Sequence, residues 1–171
     1  MKDIWLISDT HFFHENILKF TDNDGNPLRP GFSNVDEMNE HMRDRWNSVV
    51  KPGDIVYHLG DVMMGPKEKF SSFWPKLNGR KRLIVGNHDD IKYLANGSFF
   101  QKIQMWRVFA DRGLLLSHVP LHPSSLMREG MINVHGHTHA NGSPDGPYLS
   151  VCVEKLDDYT PIHIEEVAKR S

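Results

Sequence analysis

The chain has 171 residues, of which 39% are hydrophobic and 25% are charged, and its formal net charge is −2. We expect a single domain over residues 1–171, because this length can bury a core without disulfides. The composition excludes a membrane-spanning protein, since no apolar run approaches the length of a span, and it excludes a strong overall basic field. The apolar stretch at the amino terminus is too short for a signal peptide, so we expect a cytoplasmic protein.

The first half of the chain predicts strands that alternate with helices. Short apolar runs predict strands at 3–8, 54–59 and 82–85. Apolar residues at helical spacing predict a long helix through Val35, Met38, Met42, Trp46 and Val49, and a second after Pro66 through Phe70, Phe73, Trp74 and Leu77. A short helical stretch is expected at 15–20. The segment from Thr21 to Phe32 is rich in Asn, Asp, Gly and Pro and predicts a loop.

The second half predicts mainly strands. We expect paired strands at 105–110 and 113–117 joined by a hairpin turn, followed by strands at 131–135 and 148–153. A short helix is predicted at 164–169. The pattern as a whole is that of an α/β protein.

Potential metal ligands follow five of the predicted strands. In chain order they are Asp9 with His11, Asp61, Asn87 with His88, His118, and His137 with His139. Ligands in open α/β sheets bind outside the carboxyl ends of the strands, so we expect these side chains to converge. Chance placement of polar turns explains one or two such clusters but not five.

The mixture of donor types limits which metal ions the site is expected to bind. Imidazoles with carboxylates and one amide oxygen favour Mn, Fe, Zn or Ni over Ca or Mg, whose sites use mainly oxygen ligands. There are too many donors for one tetrahedral ion. A two-metal site with a bridging carboxylate uses all of them and leaves His88 for proton transfer.

The ordered motifs Asp-x-His, Gly-Asp, Gly-Asn-His-Asp, His and Gly-His-Thr-His resemble the calcineurin-like metallophosphoesterases, from Asp9 to His139. The segment from Trp46 to Asp61 is most similar to small bacterial and phage members, which implies a bacterial cytoplasm or a phage host cell. The resemblance implies a four-layer αββα sandwich of two mixed β-sheets flanked by helices. One departure is Val62-Met63-Met64 after Gly-Asp, which lacks the phosphate-binding Arg of some branches.

Carried over by position, the resemblance assigns a role to each motif residue. It implies two divalent transition-metal ions, with manganese favoured. One ion would be held by Asp9, His11 and His139, the other by Asn87, His118 and His137, with Asp61 bridging them. His88 would be the general acid, and Asp89 would orient it.

The expected activity is hydrolysis of phosphodiester bonds in nucleotides or nucleic-acid ends, with no membrane and no obligate protein partner. Water activated between the two ions would attack phosphorus in line with the leaving oxygen, which His88 would protonate. The alternatives are a phosphomonoesterase or nucleoside-polyphosphate hydrolase, and a catalytically silent, metal-stabilised binding module. Candidate substrate contacts are His14, Arg29 and His122, for each of which a surface or packing role is the alternative.

Overall fold

Over residues 2–169, which the computed structural model describes, nine strands form two mixed β-sheets flanked by helices. The strands are β1 (Ile4–Ile7), β2 (Ile55–His58), β3 (Arg80–Ile84), β4 (Lys102–Gln104), β5 (Trp106–Phe109), β6 (Leu114–Ser117), β7 (Ile132–His135), β8 (Tyr148–Ser150) and β9 (Ile162–His163). The first sheet has the order β4-β3-β2-β1-β9 and is parallel except at β9. The second has the order β5-β6-β7-β8 and is parallel except at β5.

The helices are α1 (Val35–Val49), α2 (Lys67–Phe73), α3 (Ile91–Asn96) and α4 (Ile164–Lys169). The predicted α/β fold of two mixed sheets flanked by helices is confirmed. The side chain of Asn34 starts α1 by accepting a hydrogen bond from the backbone N–H of Glu37. The predicted strand at 148–153 is shorter than expected, because β8 ends at Ser150 and a 3-10 turn follows at Val153–Lys155. No helix in the described part of the chain is long and apolar enough to cross a membrane.

The first sheet is apolar on both faces because each face meets a different layer. Ile7, Val56 and Leu83 pack with Trp46 and other side chains of the helical layer. Their chain neighbours Leu6, Tyr57 and Ile84 point the other way and pack against the second sheet, as the alternation of side chains along a strand requires. The core therefore consists of one layer between helices and sheet and a second layer between the two sheets.

The directions of the strands decide where the polar loops lie. Strands β1, β2 and β3 run parallel, so the loops that follow them leave the same edge of the first sheet. Strands β6 and β7 are parallel in the second sheet, and Gly136 N–H donates to the carbonyl of His118 at 2.8 Å just beyond their ends. The sheets are joined at this edge by Ser8, whose N–H donates to the carbonyl of Val151 at 2.9 Å. All five polar strand ends therefore face one region.

Met42→Ala tests the helical core layer. Met42 is 1% exposed among the side chains that pack α1 on the sheet, so we expect a loss of about 2–5 kcal/mol in the free energy of unfolding. Chemical denaturation measures it. Met105, at 61% exposed, is the matched control, and Met105→Ala should change stability by less than about 0.5 kcal/mol. Equal losses at the two positions would contradict this packing.

Candidate metal centre

The turns that carry the predicted ligands have unusual backbone conformations. Five of the seven predicted metal ligands have positive φ angles: Asp9 (57°), His11 (45°), Asp61 (56°), His137 (69°) and His139 (50°). The left-handed region is sterically unfavourable for residues with a Cβ and costs on the order of 1–3 kcal/mol for each. Such conformations persist only where the surrounding structure holds them, and they concentrate at functional sites.

Two glycines let these turns approach one another. A Cβ on Gly136 would overlap the side chains of Ser8 and Asp9, and a Cβ on Gly86 would overlap the carboxylate of Asp61. The glycine of the Gly-His-Thr-His motif is therefore needed because another turn packs directly against its backbone. The same holds for the glycine of Gly-Asn-His-Asp.

The first cluster consists of Asp9, His11 and His139, whose donor atoms all lie within 4.8 Å of one another. Oδ1 of Asp9 is 4.0 Å from Nε2 of His11 and 3.7 Å from Nε2 of His139. This Oδ1 atom and both ring nitrogens of His11 are buried and have no hydrogen-bond partner among the described residues. Unpaired buried polar atoms are costly. A cation bound between these side chains would satisfy them, so the residues present fit a metal ion.

The second cluster consists of Asp61, His118 and His137, with Asn87 beside them. The side-chain oxygen of Asn87 lies 2.8 Å from Nε2 of His118 and 3.0 Å from Nδ1 of His137. Three donor types, a carboxylate, an amide oxygen and imidazoles, are thus brought together in one small volume. The resemblance implied Asn87, His118 and His137 as ligands of the second ion, with Asp61 as the bridge.

Asp61 lies between the two clusters. Its Oδ2 atom is 3.6 Å from Nε2 of His11 in the first cluster and 3.5 Å from Nε2 of His118 in the second. The other oxygen, Oδ1, accepts a hydrogen bond of 2.9 Å from the backbone N–H of His88. That bond fixes the carboxylate so that one oxygen faces both clusters at once.

Hydrogen bonds also orient two of the imidazoles. Nδ1 of His118 lies 2.6 Å from the carbonyl oxygen of Leu59, and Nδ1 of His139 lies 3.0 Å from a carboxylate oxygen of Glu154. These oxygens only accept, so Nδ1 is the protonated nitrogen in each ring. Nε2 is then the ring nitrogen left to coordinate a cation at the cluster. Burial alone would lower the pKa of both rings, but Asp61 beside His118 and Glu154 beside His139 raise it, so a bound cation would displace any proton on Nε2.

Burial and neighbouring charges set the protonation of the ligands. Burial lowers the pKa of His11 to about 2, so its imidazole is neutral and able to coordinate. For Asp61, burial alone would raise the pKa, but the hydrogen bond and charge of His118 hold it below its ordinary value. Burial raises the pKa of Asp9 against the opposing charges of His118 and His139. A cation at the first cluster must therefore displace any proton on Asp9.

The two residues of the predicted catalytic pair, His88 and Asp89, have different surroundings. The ring of His88 is exposed, with its centroid 5.9 Å from that of His11, so it lies at the rim of the clusters. Asp89 does not have the expected orienting role. Its two oxygens accept the backbone N–H groups of Val62 (2.9 Å), Gly86 (2.8 Å) and Asp61 (3.2 Å). The carboxylate ties the two ligand-bearing turns together through their main chains.

The three candidate substrate contacts have different surroundings. His14 is partly buried beside the first cluster, with its ring centroid 5.5 Å from that of His11. His122 is exposed and accepts from the backbone N–H of Ser124, at the start of the 3-10 turn Pro123–Ser125. Arg29 was expected to reach substrate, and the structure corrects this expectation. It is 2% exposed, and its guanidinium donates to Glu154 and to backbone carbonyls.

Glu154 is a buried acid beside the first cluster that the sequence did not reveal. Its side chain is 2% exposed and contacts both His139 and Arg29. It belongs to no recognisable motif and follows a segment that the apolar pattern predicted as a strand. A single acidic residue in such a place carries no local signal of its function.

The comparisons with known proteins agree with this geometry. A family model described as calcineurin-like phosphoesterase matches residues 2–159. An uncharacterized protein of Methanocaldococcus jannaschii is 36% identical over 178 residues, which cover 99% of this chain and 91% of that protein. The gene 66 protein of Mycobacterium phage L5 is 30% identical over 171 residues, covering 82% of this chain and 79% of the phage protein.

A solved structure also resembles the whole chain. The crystal structure of a protein of unknown function from Aquifex aeolicus matches with a TM-score of 0.72 and 28% sequence identity. The match covers 100% of both chains. The same architecture is thus present in a protein whose sequence differs at most positions.

Asp61→Asn tests the shared carboxylate. If Oδ2 serves both clusters, the affinities of both ions should fall by roughly 10-fold or more, and manganese titration calorimetry on chelator-stripped protein measures this. Asp54→Asn is the matched control, because Asp54 is also buried but accepts from Trp5 and the backbone of Lys51. An Asp61→Asn protein that binds two ions as tightly as the native one would refute the bridging assignment.

Proposed function

The chain belongs to the calcineurin-like phosphoesterases, and from this premise we propose that it is a two-metal hydrolase that prefers phosphodiesters of nucleotides or nucleic-acid ends. One observation carries the two-metal part of the proposal. The Oδ2 atom of Asp61 lies 3.6 Å and 3.5 Å from ligand nitrogens of two separate clusters. A carboxylate in that position suits two cations better than one.

The donors determine which ions fit and what they contribute. Two bound divalent cations would lower the pKa of a water and neutralise phosphoryl oxygens during in-line displacement. Imidazole, carboxylate and amide donors suit manganese, which we favour, and also iron, zinc or nickel. The chain's contribution is to hold the donors in fixed positions and to supply a proton to the leaving oxygen.

His88 is the residue proposed to supply that proton. Its backbone N–H bond to Asp61 anchors it beside the shared carboxylate, while its ring remains exposed at the rim. The ring is therefore free to approach a leaving oxygen above the clusters. Asp89 supports this arrangement by holding the turns of Gly86 and Asp61 together rather than by contacting the ring.

An apolar groove beside the second cluster supports a nucleotide ester as substrate. Its volume is about 340 Å³, and it is lined by Asn87 and His118 of the second cluster and by the apolar side chains of Met105, Trp106 and Val119. Trp106 is 61% exposed, and a flat exposed aromatic ring stacks on any base. A phosphodiester has a second ester group that can occupy this groove, whereas a small monoester leaves it empty.

His88→Ala tests the proton donor. Because a general acid contributes a factor on the order of 10²–10⁴, we expect kcat to fall by about that factor while the protein still binds two ions. The rate on a phosphodiester and the metal content are measured on the same preparation. His41→Ala, which removes a surface imidazole paired with Asp158, should leave both unchanged. A parallel loss of metal and activity in His88→Ala would argue against the role.

Trp106→Ala tests the groove. Base stacking on an aromatic side chain is worth about 1–3 kcal/mol, so KM for the p-nitrophenyl ester of thymidine 5′-monophosphate should rise about 5-fold to 100-fold. The value of kcat should change little, because Trp106 is neither a proposed metal ligand nor the proposed proton donor. Trp106→Phe keeps a stacking surface and should stay near the native KM. An unchanged KM in Trp106→Ala would remove the support for a nucleotide.

One assay separates the three candidate functions. The manganese-loaded protein is tested on bis(p-nitrophenyl) phosphate, on p-nitrophenyl phosphate, and then on cyclic nucleotides, dinucleotides, nucleoside triphosphates and short RNA and DNA. Faster hydrolysis of the diesters supports the proposal. Hydrolysis of monoesters or triphosphates alone supports the alternative hydrolase. Two bound ions with no hydrolysis of any substrate supports the silent binding module.

A further inference from the structure

We propose that Glu154 and Arg29 are positioning residues for one of the two ions: a buried ion pair that holds His139 and the Asp9 to His11 turn in coordinating geometry. The inference rests on the two-metal part of the proposed function. It also explains what Arg29 does, and it gives the loop from Thr21 to Phe32 a role. That loop brings Arg29 into contact with Thr10 and with Glu154, beside the first cluster.

Glu154 acts on His139. Its Oε1 atom lies 3.0 Å from Nδ1 of His139 and accepts from Nε of Arg29 at 2.9 Å. Nη2 of Arg29 also lies 2.9 Å from this oxygen, so Glu154 is the anionic partner of a buried ion pair. An anionic acceptor on Nδ1 directs Nε2 of His139 to the cluster and increases the basicity of the ring.

Arg29 acts on the backbone of the neighbouring turn. One guanidinium nitrogen donates to the carbonyl of Thr10 at 2.7 Å, and another donates to the carbonyl of Asp9. Asp9 and His11, on either side of Thr10, have left-handed backbone conformations. The guanidinium therefore satisfies the carbonyls of a strained turn and connects that turn to Glu154. A single buried pair thus contacts the ring of His139 and the main chain of the turn that carries Asp9 and His11.

The second cluster is supported differently. Nδ1 of His118 donates to a backbone carbonyl, that of Leu59, and the Asp61 turn is held by the carboxylate of Asp89. Loss of the Arg29–Glu154 pair should therefore weaken one ion and spare the other. If the pair only stabilised the fold, its loss would weaken ion binding at both clusters to the same extent.

The principal test is the double variant Arg29→Met with Glu154→Leu. Replacing a buried ion pair by apolar residues of similar size often preserves stability, whereas removing one partner leaves a buried charge unpaired. We expect the double variant to melt near the native temperature and to bind the first ion roughly 10–100-fold more weakly, with the second ion near its native affinity. Manganese calorimetry measures both affinities, and electron paramagnetic resonance distinguishes a coupled manganese pair from a single ion.

Two further variants make the result interpretable. Glu154→Gln keeps an acceptor for His139 but removes the charge, so its first-ion affinity should fall between those of the native protein and the double variant. It also decides the question if the double variant does not fold. Arg112→Met with Glu165→Leu removes an ion pair with the same 2.9 Å contact on the surface and should leave metal binding unchanged.

Two outcomes overturn the proposal: native affinities for both ions in the variants at Glu154, or equal weakening of both ions with a lower melting temperature. Native protein that binds two ions but hydrolyses nothing would refute the proposed function and leave this test intact. Native protein that binds no ion would refute both.

Discussion

The metal centre depends on the hydrogen bonds of one residue, Ser8, at the end of β1. Its backbone N–H and carbonyl pair with Val151 and Val153 of the segment after β8, which links the two sheets at one point. Its hydroxyl donates to the carbonyl of Leu59 at 2.8 Å, just before the Asp61 turn. Ser8 is fully buried and immediately precedes Asp9. The ligands from the first half of the chain and those from the second half therefore meet where these three segments are joined.

The ligand turns are held by two charged side chains that have complementary tasks. The carboxylate of Asp89 accepts three backbone N–H groups and so joins the Gly86 and Asp61 turns. The guanidinium of Arg29 donates to two backbone carbonyls and so fixes the Asp9 turn. A carboxylate can only accept hydrogen bonds and a guanidinium can only donate them, so each side chain matches the groups that its turn leaves unpaired. Strained backbone and unpaired ligand atoms persist because these contacts hold them.

The sequence predicted what depends on local pattern and missed what depends on distant contacts. Apolar periodicity predicted the long helix and the buried strands, while β4, β9 and α3 have three, two and six residues, too few for a periodic signal. The seven ligands were predicted because each lies in a short motif at a strand end. Glu154 was missed and Arg29 misassigned because their pairing joins residues 125 positions apart in the chain. Only the folded chain shows that Arg29 is buried.

The two ions are expected to differ because their surroundings differ. Each cluster has two buried donors, Asp9 and His11 in the first and Asp61 and His118 in the second, but only the first contacts the buried pair of Arg29 and Glu154. Asn87 and His137 are exposed, and the apolar groove with Trp106 opens beside Asn87. Electrostatic attraction is stronger where water is excluded, which favours tighter binding at the first cluster. The second cluster is the one that lies beside the groove proposed to receive the substrate. The fold thus shields the donors of the first cluster more fully and leaves Asn87 and His137 of the second cluster at the surface.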